Sequence, residues 1–200
     1  MSGSGDPLVA EALRLNARYV EEVVIGWGLC PWAAQAWRTG AVARRVLAEP
    51  AAGVEPVLAF VDEIAATSAI AIGLVICPRL ELDAAAFGTF AERVRRADRA
   101  RRAPDAAAPF LLAAFHPAFR ADRAAAAQPG TLVPFIRRTP DPTLQLVRAE
   151  LVTGLARDGR DLSTEIARAN QATVAARTPE ALDALLREIR RDRDAAYAGI

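Results

Sequence analysis

Three reactive side chains of this sequence each stand directly before a proline. They are Cys30, Cys77 and His116, and the sequence contains two cysteines and one histidine. Proline restricts the backbone of the residue before it, so each position predicts the beginning or the end of a secondary-structure element. Cysteine and histidine together suit nucleophilic chemistry, because the imidazole takes the proton of the thiol and the resulting pair is stabilised by mutual charge.

Cys30 precedes Pro31 at a predicted helix start. A thiol there lies near unpaired backbone N–H groups and the positive end of the helix dipole, and both stabilise a thiolate. We therefore expect the pKa of Cys30 to lie below the ordinary cysteine value of about 8.5, as suits a nucleophile or a redox thiol. The alternative is a small buried apolar side chain, since free cysteine is among the most buried residue types.

Cys77 and His116 each follow a predicted strand, over residues 69–77 and 110–115. In an open parallel sheet the carboxyl ends of the strands form one edge, where such sheets bind ligands. If the helix of Cys30 begins on the same side, the Cys30 sulfur and an imidazole nitrogen of His116 are expected to lie roughly 4–6 Å apart. For Cys77 packing in the core is favoured, because it ends a very apolar strand.

Arg138 and Arg148 lie on either side of Asp141, where a helix is predicted to begin and to end near residue 159. An arginine at a helix N-terminus adds a fork of donors to free backbone N–H groups, which suits a carboxylate or a phosphate. The alternative is an ion pair with a neighbouring acid. Asn16 interrupts the apolar stripe of the first predicted helix, so it is either a buried polar group bonded to a loop or a residue that supports the substrate site.

Helices and strands alternate along the chain with short links. This alternation predicts an α/β fold with a mostly parallel small sheet of about three to four strands, covered by helices, and a helical C-terminal end. We predict a single domain over 1–200, with a flexible tail over 1–6 and closing helices within 160–200. Residues 118–130 are predicted to form a loop over the site, and 131–136 an edge segment. The predicted helices span 7–27, 31–38, 163–176 and 179–198, with others beginning at Glu55 and Asp83, and the predicted strands span 42–48, 69–77 and 110–115.

The composition excludes several classes of function. All 25 basic residues of this arginine-rich sequence are arginine, so no lysine is present to serve a phosphate loop, a Schiff base or a general base. The net charge of +1 provides no general attraction to nucleic acid or acidic membranes. The longest apolar run, over 69–77, is far shorter than the roughly 20 residues of a membrane-spanning helix. Few cysteines and no leader-like start favour a cytoplasmic protein with neither a nucleic-acid nor a membrane partner.

Several blocks of the sequence resemble a known family. LCPWA at 29–33, FHP at 115–117 and RTPDPTLQLVR at 138–148 resemble, in content and order, the bacterial proteins grouped as domain-of-unknown-function family 1415. The resemblance spans most of the chain and implies no established activity. At Arg137 and Asp141 this sequence differs from the family's usual residues, so the resemblance assigns neither of them a role. The residues that it places in matched motifs are Cys30, His116, Arg138 and Arg148.

The leading hypothesis is a thiol-dependent enzyme acting on a small anionic metabolite. Cys30 is then the thiolate nucleophile or redox thiol, and His116 is its acid–base partner. One alternative is a zinc- or haem-binding protein that uses Cys30, His116 and Cys77, and another is a binding module without catalysis. We assign no metal ligands in the leading hypothesis, and the sequence identifies neither a cofactor nor an oligomeric state. The predicted substrate-binding residues are Arg138, Arg148 and Asn16.

Overall fold

The protein has a mixed α/β architecture in which helices cover a four-stranded sheet. The structure, a computed structural model, describes residues 5–51, 53–103, 106–119, 136–153 and 162–200. The strands are β1 Val42–Val46, β2 Ile72–Ile76, β3 Phe110–Phe115 and β4 Thr143–Arg148. The helices are α1 Pro7–Arg18, α2 Ala33–Arg38, α3 Val54–Ala65, α4 Ala84–Ala100, α5 Ala149–Thr153, α6 Leu162–Ala176 and α7 Pro179–Tyr197, with a π-helical segment over Tyr19–Ile25.

The strand order is β1-β2-β4-β3, and only the β1–β2 pair is parallel. The α/β class and the helical C-terminal end are confirmed, whereas the prediction of a mostly parallel sheet is wrong. The error comes from the segment after Asp141, which was expected to be a helix and forms β4. Its apolar spacing fits a helix, but Leu144 and Leu146 also alternate with Gln145 as in a strand. Pairing with β2 on one side and β3 on the other satisfies the backbone hydrogen-bonding groups of β4, and it favours the strand over the helix.

The inserted strand β4 leaves β2 and β3 pointing in the same direction, because both are antiparallel to it. Ile76 at the end of β2 and Phe115 at the end of β3 are both paired with Thr143. Cys77 and His116 therefore follow strands that end at the same edge of the sheet, as the sequence predicted. The predicted loop over 118–130 and edge segment over 131–136 lie largely outside the described residues.

Each face of the sheet is covered by helices, and side chains along each strand alternate between the faces. Leu144 and Leu146 of β4 pack with Phe60 of α3 and Phe87 of α4. Gln145 lies between the two leucines and lines cavities on the other face. A second core covers that other face with residues from the π-helical segment and the turn after it, α2, α6 and α7, among them Tyr19, Val23, Trp27, Ala36, Val174, Leu182 and Ile189.

The first helix changes its geometry before it ends. Asp6 caps α1 by accepting a hydrogen bond from the N–H of Leu8 at 2.9 Å, and Pro7 is its first residue. From Tyr19 onward the chain continues as a π-helix, a rare form that is frequent at functional sites. Gly28 then adopts a φ of +64°, which lets the N–H of Leu29 bond back to the carbonyl of Val24 at 2.9 Å. This turn sets the loop that carries Cys30.

The C-terminal helix α7 is joined to the sheet edge through a buried carboxylate. The two oxygens of Asp141 accept hydrogen bonds from Arg193 Nε and the Tyr197 hydroxyl, each at 2.7 Å. Asp141 is only 1% exposed, and Arg193 also reaches the carbonyl of Pro78 at 3.2 Å. The cluster closes the edge at which β2 and β3 end. Within the described ranges, no helix combines the length and apolar character required to cross a bilayer.

Candidate ligand-binding site at Cys30

Cys30 lies in the loop between the π-helical segment and α2, with its side chain partly buried. Helix α2 begins at Ala33 instead of Pro31, but the N–H of Ala33 still bonds to the carbonyl of Cys30 at 3.2 Å. Backbone N–H groups of Trp32 and Ala33 approach the thiol and stabilise its charged form. Burial outweighs them and raises the pKa of Cys30. The expected lowering of this pKa is therefore wrong for the unliganded protein.

His116 lies on the α4 face of the sheet. Its ring packs 5.7 Å from the ring of Phe87 and 5.9 Å from that of Phe119. Nδ1 accepts a hydrogen bond from the N–H of Ala118 at 3.1 Å, so Nε2 carries the proton and donates to the carbonyl of Leu82 at 2.9 Å. Burial lowers the pKa of His116, which favours the neutral ring. Both ring nitrogens are thus engaged within the protein.

The structure does not bring Cys30 and His116 together. Phe115, the residue before His116, lines the same cavity as Cys30, on the face opposite Phe87. Consecutive side chains point to opposite faces at the end of a strand, so His116 is directed away from that cavity. Correct placement of two strand ends at one sheet edge is therefore insufficient to create a thiol–imidazole pair.

Cys77 is fully buried at the end of β2. Its N–H donates to the carbonyl of Pro142 at 2.9 Å, and its side chain belongs to the core under α3 and α4. Burial, together with the charge of Asp141, raises the pKa of Cys77 to about 12. The described residues include Cys30, Cys77 and His116, and no three His, Cys, Asp or Glu side chains among them are grouped to hold a metal ion. The three-ligand arrangement considered from the sequence is not formed.

The guanidinium of Arg148 is engaged by the main chain. Arg148 lies on β4, and it donates to the carbonyls of Ile70 at 2.8 Å, Ile64 at 3.1 Å and Thr67 at 2.9 Å. It also stacks 4.9 Å from the ring centroid of Phe110. Arg148 therefore joins β4 to the carboxyl end of α3, where helix carbonyls lack intrahelical partners. The predicted helix N-terminus beside it does not exist.

Arg138 forms an ion pair with the C-terminal helix. Its Nη2 lies 2.6 Å from Oδ1 of Asp183 on α7. This agrees with the alternative in which Arg138 pairs with an acid, although the partner is distant in sequence and not a neighbour. A distant partner of this kind cannot be recognised from the local pattern.

The arginine in the same cavity as Cys30 is Arg137, for which no role was predicted from the sequence. Both residues line a cavity of about 240 Å³, which we call the Cys30 cavity. The guanidinium of Arg137 stacks 5.4 Å from the ring centroid of Phe115. In the part of the chain that the structure describes, it has neither an ion-pair nor a hydrogen-bond partner. Burial lowers the pKa of Arg137, which reflects a charged group with little solvation.

Main-chain hydrogen bonds hold Arg137 in this wall. The N–H groups of His116 and Thr139 donate to its carbonyl at 3.0 Å and 3.2 Å. The preceding carbonyl, of Ile136, accepts a hydrogen bond from the buried Tyr19 hydroxyl at 2.7 Å. The sequence signal was only the Arg137-Arg138 doublet, which does not indicate which arginine lines the Cys30 cavity.

Asn16 lines a second cavity of about 40 Å³, which we call the Asn16 cavity. Asn16 is 2% exposed, and its Oδ1 has no hydrogen-bond partner among the described residues. No loop that the structure describes provides the hydrogen bond that was expected for this oxygen. The two cavities adjoin, since both are lined by Tyr19, Val24, Phe115 and Gln145.

These features define a mixed α/β protein with a cavity between the sheet and its helices, lined by one cysteine and by one arginine that has no ion-pair partner among the described residues. The chain belongs to the family described as "Protein of unknown function (DUF1415)", whose sequence profile matches residues 11–184. The resemblance seen in the sequence is thereby confirmed, and Asn16, Cys30 and Arg137 all lie inside the matched range. No curated protein and no solved structure matches the chain.

Proposed function

We propose that the protein binds a small organic anion in the Cys30 cavity, with Arg137 contacting the anionic group and Cys30 beside the bound molecule. The guanidinium of Arg137, which has no partner within the described ranges, carries this proposal. A charged group that has lost water without gaining a counter-ion is unfavourable, and a carboxylate or phosphate relieves that cost through bidentate hydrogen bonds. The anion predicted from the sequence is retained, but its partner is Arg137 instead of Arg138 and Arg148.

The composition of the cavity wall supports a small ligand with an apolar portion. Leu29, Trp32, Phe115 and Val147 supply apolar surface around Cys30. Gln145 and Asn170 are polar members of the same wall. Ligand sites usually combine a mainly apolar surface with a few polar groups that fix orientation. A volume of about 240 Å³ suits a metabolite and not a macromolecule.

Thiol-dependent catalysis by Cys30 on the same ligand is the second candidate function. It is favoured by the approach of the Trp32 and Ala33 N–H groups to the thiol, which stabilises a thiolate once one forms. His116 takes no part in this version, because both of its ring nitrogens are bonded on the other face. Consumption of a bound anion by the native protein, lost in Cys30→Ser with binding retained, would establish catalysis.

The test of the binding proposal is a comparison of Arg137→Gln with Arg138→Gln. A panel of inorganic phosphate, phosphate monoesters and short-chain carboxylates is titrated by calorimetry, with tryptophan fluorescence, to which Trp32 of the cavity wall contributes, as a second signal. Loss of a charged hydrogen-bond donor in Arg137→Gln should weaken binding by roughly 10- to 100-fold. Arg138→Gln breaks the pair with Asp183 and should leave the affinity unchanged. Equal affinity in Arg137→Gln and native protein, or no anion bound by either, would overturn the proposal.

A further inference from the structure

We infer that the bound anion also carries an O–H or N–H group, distant from its charge, that donates a hydrogen bond to Oδ1 of Asn16. The ligand class is then a small hydroxylated or aminated organic acid. This inference rests on the proposed function and specifies its ligand. It joins the two adjoining cavities into one recognition site, with Arg137 at one end and Asn16 at the other.

The state of Asn16 is the first observation behind this inference. Its side chain is almost completely buried, and its amide oxygen is the single buried side-chain oxygen or nitrogen without a partner among the described residues. Buried polar atoms are nearly always hydrogen-bonded, so an exception calls for an explanation. A donor supplied by a ligand would explain this exception, because Asn16 is one of the residues that line the Asn16 cavity.

The second observation is that hydroxyl and indole donors around the Asn16 cavity are used elsewhere. The hydroxyls of Thr139 and Thr143 both donate to the carbonyl of Asp141, at 2.7 Å and 2.8 Å. The indole N–H of Trp37 donates to Glu21 at 2.9 Å. Each of these groups has one hydrogen, so none is left for Asn16. The Tyr19 hydroxyl is likewise committed to Ile136.

The wall shared by the two cavities supplies the third observation. Gln145 lines both cavities and makes no side-chain hydrogen bond to any described residue. A ligand whose anionic group contacts Arg137 extends along Phe115 and Gln145 toward Asn16. A volume of about 40 Å³ admits a hydroxyl or amino group, and it also admits water, for which roughly 10–15 Å³ is enough. The experiment must therefore separate a ligand donor from a bound water.

The experiment compares matched ligands on matched variants. Short-chain carboxylates with a terminal hydroxyl, from hydroxypropionate to hydroxyhexanoate, are titrated against isosteres ending in methyl and against methyl-ketone analogues, whose carbonyl oxygen only accepts hydrogen bonds. Asn16→Leu removes the acceptor with little change in volume, and Arg137→Gln removes the anion contact. In native protein the best-fitting hydroxy acid should bind about tenfold more tightly than its methyl isostere. Asn16→Leu should abolish that difference while still binding the methyl acid, and Arg137→Gln should weaken both.

The outcomes separate failure of this inference from failure of the proposed function. Equal binding of hydroxy and methyl acids by native protein, with both dependent on Arg137, overturns the inference alone. Preference for the methyl ketone overturns it as well, because the amide would then present its N–H groups. Anion binding that does not depend on Arg137 overturns the proposed function.

A stability measurement covers the water alternative: Asn16→Leu should unfold at the same or higher temperature, and marked destabilisation would indicate a bound water instead. The comparison in native protein stands even if the variant does not fold.

Discussion

The Tyr19 hydroxyl donates a 2.7 Å hydrogen bond to the carbonyl oxygen of Ile136. Tyr19 opens the π-helical segment, while Ile136 directly precedes Arg137. Burial raises the pKa of Tyr19, so its hydroxyl remains protonated and able to donate at physiological pH. This contact joins the helical layer to the segment that carries Arg137. Because Tyr19 also lines both cavities, it links the geometry of the two.

We predict that Tyr19→Phe lowers stability and weakens anion binding together. The variant keeps the ring but leaves the Ile136 carbonyl without its donor, so the free energy of unfolding should fall by about 1 kcal/mol in urea denaturation. Arg137 would lose part of its support. Tyr197→Phe is the matched control, because it removes a buried hydroxyl contact to Asp141 away from the cavities. The control should lose similar stability with unchanged anion affinity, and unchanged affinity in Tyr19→Phe would remove its positioning role.

A second prediction concerns the reactivity of Cys30. Because burial raises the pKa of Cys30, its alkylation by iodoacetamide should be slow at neutral pH. The alkylation rate should continue to rise with pH beyond the ordinary cysteine pKa. Cys77 should remain unlabelled until the protein unfolds, because it is buried and its pKa is raised to about 12. A bound anion should protect Cys30 in native protein and not in Arg137→Gln. Mass spectrometry against pH measures both sites, and rapid labelling with a plateau at neutral pH would contradict the raised pKa.

A third prediction concerns His116 and the pH dependence of stability. Burial holds its folded-state pKa below the unfolded value of 6.5, so protonation favours the unfolded chain. The contribution of the neutral ring to the free energy of unfolding is fully present above pH 6.5, and it is lost as the pH falls toward the folded-state pKa. His116→Gln should remove this part of the pH profile and leave anion affinity unchanged. As the sequence has one histidine, its NMR titration is unambiguous, and a folded-state pKa above 6.5 would refute the prediction.

A fourth prediction separates a structural from a ligand-binding role for Arg148. Lysine cannot reproduce the fork that reaches the carbonyls of Ile64, Thr67 and Ile70, so Arg148→Lys should lower the free energy of unfolding by about 2 kcal/mol. Arg187→Lys is a control at an exposed ion pair and should change stability little. Anion affinity of folded Arg148→Lys should match that of native protein. Weaker binding without loss of stability would restore the substrate role predicted from the sequence.

Local sequence patterns were sufficient to predict those helices and strands for which apolar spacing and capping residues indicate the same structure. The strand over 110–115 and the C-terminal helices appear where predicted, and Asp6 and Asp83 cap the helices that they were expected to begin. In these cases apolar spacing and capping chemistry indicate the same structure. The segment over 143–148 carries apolar residues that fit either a helix or a strand. It forms a strand because it pairs with two strands that are distant in sequence.

Composition and local patterns were enough to predict a thiol close to a helix start, strand ends before Cys77 and His116, and a chemistry without lysine. Which of these side chains meet depends on contacts between distant segments. Neighbouring residues such as Phe115 and His116 take opposite faces, and Arg138 pairs with a residue of α7 while Arg137 lines the cavity that contains Cys30. The physical reason is that side-chain direction at the end of an element depends on the layer packed against it. That layer comes from segments far away in the chain, so no local pattern records it.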